Sequence, residues 1–184
     1  MLGMARFGFA ICVVLLSSLG VRAAPVAQLA AFEAQLEANP SATAVLQSWC
    51  DAHARPGTRI VARQVQPAPV PPPANVRQTL KIKPGEAVRY RRVQLMCGDR
   101  VLSNADNWYL PGKLTDAMND ALDHSQTPFG RAVAALHFSR RNLETVYLPP
   151  GGQSVLRHSA LLTTDKGEKF SFVVETYTRQ ILEN

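Results

Sequence analysis

Cysteine is scarce in this chain, charge is sparse and aromatic residues are few: three Cys, 18% Asp, Glu, Lys and Arg, and 7% Phe, Trp and Tyr. No CxxC pair occurs, and the four histidines (His53, His124, His137, His158) are scattered. That pattern argues against a metal centre, because first-layer ligands usually show local spacing. No apolar run long enough to span a bilayer follows residue 19, so a membrane protein of several spans is excluded. The basic residues are spread along the chain, with only Arg89-Tyr90-Arg91-Arg92 and Arg140-Arg141 clustered, which argues against a nucleic-acid partner.

What is present begins with an export signal. Met1 to Arg6 carries one Arg, Phe7 to Leu19 is apolar, and Val21-Arg22-Ala23 fits a signal peptidase site. The expectation is a signal peptide over residues 1–23, a periplasmic location and one domain over residues 24–184. Removing 23 of 184 residues leaves 161, and loss of Arg6 and Arg22 lowers the formal charge from +6 to +4. Cys12 leaves with the signal. Cys50 and Cys97 then either pair in an oxidising compartment or serve as small buried hydrophobes.

Periodicity outlines the elements. Val26 to Ala38 is amphipathic at helical spacing, and Ser41 caps a second helix with Val45, Leu46 and Trp49 on one side. Thr58 to Gln66 alternates as a strand. Pro67 to Pro73 (PAPVPPP) is a proline-rich loop in extended conformation, read either as a surface connection or as a docking segment. Val76 to Ile82 is expected to be a short strand. A β-hairpin then runs from Val88 to Pro111 about Gly98-Asp99-Arg100, with Tyr90, Arg92, Gln94 and Met96 on one face and Arg91, Val93, Leu95 and Cys97 on the other.

Thr115 caps a short helix bearing Met118 and Leu122, and Thr127-Pro128 starts another that reaches Leu136. Phe138 to Leu148, Ser154 to Thr163 and Lys169 to Leu182 read as strands. The sum is an α+β fold, a mostly antiparallel sheet of about six strands with helices packed on one face.

Three features carry chemistry. Arg92 sits mid-strand on a mixed face and needs an anion, either a structural carboxylate or a ligand. Gly130, beside Phe129 at the start of a helix, lets backbone approach a ligand and exposes free amides. Glu175 stands inside a hydrophobic strand, as a solvent-facing residue or as a paired, functional one. Arg140 and Arg141 alternate faces, so at most one points inward.

These residues, in this order, resemble the chorismate pyruvate-lyase family, whose fold is shared with ligand-binding domains of some bacterial regulators. The resemblance runs from about Trp49 to Leu182. It is carried by the hairpin with Arg92, Ala105 and Pro111, by Thr127-Pro128-Phe129-Gly130-Arg131, by Arg157-His158-Ser159 and by Glu175. It implies a closed cavity between sheet and helices, with Arg92 on the ring carboxylate, Glu175 at the opposite end of the ring and backbone at Phe129 and Gly130 adding hydrogen bonds.

The implied reaction is loss of pyruvate from chorismate or a close analogue to give 4-hydroxybenzoate, with Arg92 and Glu175 as catalytic residues and no cofactor or metal. The alternative is an exported, non-catalytic binding protein or sensor for a small aromatic carboxylate. On either reading the protein is a monomer with no membrane span after signal cleavage and no nucleic-acid partner.

Overall fold

The computed structural model describes residues 20–65 and 70–183, with backbone alone for residues 20–24. Most of the expected signal, residues 1–19, lies outside the described residues, as do Gln66 at the end of the expected strand and residues 67–69 of the proline-rich loop. Helix α1 spans Gly20–Ala38 and α2 spans Ala42–His53. Ser41 caps α2 by accepting a hydrogen bond from the Ala44 amide, and Leu36, Val45 and Leu46 are buried below the pair. Asn39-Pro40 breaks the chain between them because proline disfavours helical geometry in the preceding residue.

Strands β1 (Ile60–Val65), β2 (Arg89–Cys97), β3 (Arg100–Tyr109), β4 (Ser139–Tyr147), β5 (Ser154–Thr163) and β6 (Lys169–Thr178) form one sheet in the order β1-β2-β3-β6-β5-β4, each neighbour antiparallel. The β2–β3 turn needs a left-handed residue, supplied by Gly98 at φ 58°. Helices α1 and α2 cover one face, where Phe32, Trp49, Val93, Leu95, Leu102 and Tyr177 form a continuous core. Trp49 Nε1 donates to the Ile181 carbonyl at 3.0 Å and fixes the chain end after β6 to this layer.

Cys50 and Cys97 are joined, with Cα atoms 5.7 Å apart, tying α2 to the end of β2. They lie 47 residues apart in sequence, and the chain-entropy model gives a closure of that length about 4 kcal/mol of stabilisation.

Two expectations are corrected. The segment expected as a strand over residues 76–82 is a helix, α3 (Ala74–Leu80). Val76 and Leu80 stand one turn apart and are buried against Trp108, Leu161 and Phe172 on the sheet face opposite α1 and α2. Pro73 precedes the first turn, and Lys81 in left-handed conformation ends the helix.

The helix expected from Pro128 to Leu136 is instead α5 (Phe129–Ala132) followed by a 3-10 turn, Ala134–Leu136, with His137 left-handed at φ 46°. Helix α4 (Asp116–His124) is capped by Thr115 as expected, and buries Met118 and Leu122 beside Phe129 and Leu162.

Candidate functional site

Alternation decides which side chains meet. Val93, Ala105 and Glu175 form one cross-strand row, and His158 on β5 pairs with Glu175. Arg92, Asp106 and Val174 form the next row, so they point to the other face. Arg92 therefore does not share a cavity with Glu175. Its Nε lies 3.4 Å from Asp106 Oδ1, its side chain is 46% exposed, and the Tyr90 hydroxyl donates to the same carboxylate.

The inward arginines are Arg91 and Arg140. Arg140, on β4, places Nη2 2.7 Å from Glu175 Oε2, with both side chains almost fully buried. Glu175 also accepts from the Tyr177 hydroxyl at 2.9 Å, and Arg140 Nε donates to Asn142 Oδ1 at 3.1 Å. Burial works against the charge of Arg140, but Glu175 and then Tyr177 outweigh it, so its pKa is raised. Burial, reinforced by Glu175, pushes the Tyr177 phenol well above its usual value. Arg141, one residue on, is exposed.

Arg91, 6% exposed, donates through Nη2 to the Thr127 carbonyl at 3.1 Å and so holds the chain entering α5 against β2. Its Nε and Nη1 have no hydrogen-bond partner among the described residues. Burial lowers its pKa, with partial compensation from Tyr109 and Asp123.

Between the sheet and the start of α2 lies a small cavity walled by Thr43, Val93, Asn107, Phe129, Arg140 and Glu175. Its volume of about 30 Å³ admits a water or two and no aromatic ring. Asn107, 2% exposed, presents its side chain to this wall, and Arg140 Nη2 has no hydrogen-bond partner among the described residues.

Outside the cavity opens a groove of about 430 Å³ bounded by Gln47, Arg131, Ala134 and His137. Ser41, Thr43, Gly130 and Phe138 belong to both spaces and form the doorway. A Cβ on Gly130 would stand 3.0 Å from Ser41 Oγ and 3.4 Å from Thr43 Oγ1. Phe129, Gly130 and Glu175 thus border one space and Arg92 does not.

His158 is fully buried between Glu175 and α1, with Nε2 3.9 Å from Glu33 Oε1. Burial first, then Arg140, lowers its pKa. Among the described residues no group of three or more His, Cys, Asp or Glu is placed to hold a metal, and no helix is long and apolar enough to cross a membrane.

No family model matches the chain. The uncharacterized protein y4mC of Sinorhizobium fredii is 40% identical over 185 aligned positions, an alignment that takes in 88% of this chain and 78% of that protein. This chain belongs to the y4mC family.

Among solved structures, this y4mC-family fold is similar to the effector domain of PhnF from Mycobacterium smegmatis, with TM-score 0.56, 9% identity and coverage of 77% of this chain and 90% of that one. It is also similar to the ligand-binding domain of a GntR-family regulator from Bordetella bronchiseptica, with TM-score 0.50, 17% identity and coverage of 69% and 87%. A further match, to YydK of Bacillus subtilis, has TM-score 0.50 and 12% identity, covering 68% of this chain and 60% of YydK. At these identities the likeness shows the fold, the α+β sheet-and-helix architecture of regulator ligand-binding domains.

Arg140 and Arg91 are the site residues that the sequence pattern does not mark. The signal for Arg140 was the Arg140-Arg141 pair itself, of which alternation lets only one face inward. The signal for Arg91 was its place in the apolar series Val93, Leu95, Cys97.

Proposed function

We propose that this protein is a binding protein or sensor for a small carboxylic acid, held at the cavity between the sheet and the start of α2. The observation that carries the reading is the wall itself: a buried Arg140–Glu175 ion pair whose Arg140 Nη2 makes no hydrogen bond among the described residues, beside the Asn107 side chain, in an otherwise largely apolar pocket. A buried guanidinium beside unfilled hydrogen-bonding capacity favours a planar carboxylate, which can accept two parallel hydrogen bonds. The amides at the start of α2 add a favourable field for an anion.

The inner cavity has room for the acid group alone. The ligand body then passes the Ser41–Gly130–Phe138 doorway into the outer groove, against Phe138 and Ala134. An aromatic acid such as 4-hydroxybenzoate has this shape, polar at the inner end and flat beyond it. The described neighbours named as ligand-binding and effector domains support the binding role, and the Cys50–Cys97 bond supports action outside the reducing cytoplasm.

The same arrangement disfavours chorismate elimination. Glu175 is held by the Arg140 guanidinium as ion-pair partner and by the Tyr177 hydroxyl as donor rather than free beside a leaving ether, and Arg92 is on the far face. Calorimetric titration of 4-hydroxybenzoate, with chorismate turnover followed in parallel, tests the reading. Saturable binding that weakens roughly tenfold to a hundredfold in Arg140→Gln, with no pyruvate released, is the expected result. Pyruvate release at catalytic rate would establish the lyase instead, and binding unaffected by Arg140→Gln would remove the proposed clamp.

A further inference from the structure

On the sheet face opposite the cavity, Val70 to Pro73 carries no regular secondary structure. Pro73 has φ −56° and ψ 162°, within the polyproline II region. The segment borders Tyr90 and Trp108, whose rings are 5.1 Å apart at 37°. Trp108 Nε1 donates to the Val70 carbonyl at 3.2 Å. Both aromatics are held from behind, Tyr90 through its hydroxyl to Asp106 and Trp108 edge-on to Phe172.

A polyproline II chain makes no hydrogen bonds of its own, so its carbonyls point outward and its proline rings present flat apolar faces. Aromatic-lined grooves with an N–H donor recognise such chains, and the stiff ligand loses little entropy on binding. Here these parts are assembled within one molecule. The groove is not filled: about 210 Å³ stays open between Val70, Pro71 and Pro72 on one side and Val88, Tyr90 and Trp108 on the other.

The geometry points to a docking surface for an extended proline-rich segment of another protein, at Tyr90 and Trp108, guarded by this chain's own Val70–Pro73. A second copy of the chain is the poorer occupant. Exchange of this segment between copies has to detach both its flanks, β1 from its full pairing with β2 and α3 from its packing under Trp108 and Phe172, in a layer also tied by the Cys50–Cys97 bond. The self-contact lowers affinity for the partner, because a ligand in trans competes with one already in place.

The test uses the whole chain and a synthetic peptide of the chain's own sequence Pro67 to Pro73, followed by tryptophan fluorescence and calorimetry. Pro71→Gly/Pro72→Gly, which loosens the guard, is expected to bind the peptide at least tenfold more tightly than the unaltered protein. Adding Trp108→Phe to that variant removes one neutral hydrogen bond and weakens binding roughly three- to tenfold.

A peptide with alanine for each proline is expected not to bind. Should Trp108→Phe lower the thermal transition, Tyr90→Leu at the groove rim reports the same loss. The proposal is overturned if the Pro71→Gly/Pro72→Gly protein, folded by its thermal transition, binds no peptide. It is equally overturned if the alanine peptide binds as well, or if that variant assembles into dimers as concentration rises.

Discussion

Replacing Glu175 by Gln strips the buried Arg140 of its counter-charge while leaving the volume and an acceptor in place. The two groups sit 2.7 Å apart with side chains 4% and 7% exposed, so water does not screen what is left. Breaking a buried pair on one side costs about 3–5 kcal/mol. For a domain of this size that corresponds to a loss of roughly 6–20 °C in Tm.

Urea denaturation followed by circular dichroism measures it. Arg140→Met alone should cost a similar amount, since it leaves Glu175 with only the Tyr177 hydroxyl. Arg140→Met/Glu175→Leu, which removes both charges, should return to within about 2 kcal/mol of the unaltered protein, because an apolar replacement of the whole pair is often neutral. If Glu175→Gln stays within about 1 kcal/mol of the unaltered protein, Arg140 is compensated elsewhere and the pair is not the electrostatic centre of the site.

Arg92→Ala should change stability by less than about 1 kcal/mol, as expected for an exposed ion pair, and leave 4-hydroxybenzoate binding unchanged in calorimetry. Gly130→Ala should block the doorway: the new methyl meets Ser41 Oγ at 3.0 Å, so ligand affinity drops at least tenfold while loss of the Ser41 cap costs about 1 kcal/mol. Stability should fall as pH drops below about 6.5, the ordinary histidine value. His158 is held lower in the folded state, so the unfolded chain takes up the proton first and stability is lost on acidification, until the folded pKa is passed. His158→Gln should flatten that slope in denaturation series at pH 7.5 and 5.5.

Much of the fold was legible because local chemistry and global packing agree. Ser41 and Thr115 cap the helices their sequence positions announce, and the hairpin about Gly98 follows from alternation and a turn glycine. Segment 76–82 misled because Val76 and Thr79 favour strands. The decisive signal was Pro73 ahead of a Val76–Leu80 pair spaced for one helical turn.

The site was half legible. Glu175 stood out as an acid in an apolar strand, and Gly130 as a glycine at a helix start. The arginine was misassigned because adjacent strand residues Arg91 and Arg92 both carry guanidinium groups, and a choice of face one residue off exchanges core for surface. Arg140 meets Glu175 across two strand pairings and 35 positions, a distance over which sequence pattern carries no pairing information.

In the proposed function Arg140 receives the ligand's carboxylate. Glu175→Gln creates a vacancy for that charge, so the thermal transition of this variant should rise on adding 4-hydroxybenzoate and recover at least half of what the substitution removed. The matched amide, 4-hydroxybenzamide, should leave it unmoved. Equal shifts with acid and amide, or no shift with either, would mean that Arg140 does not hold the carboxylate.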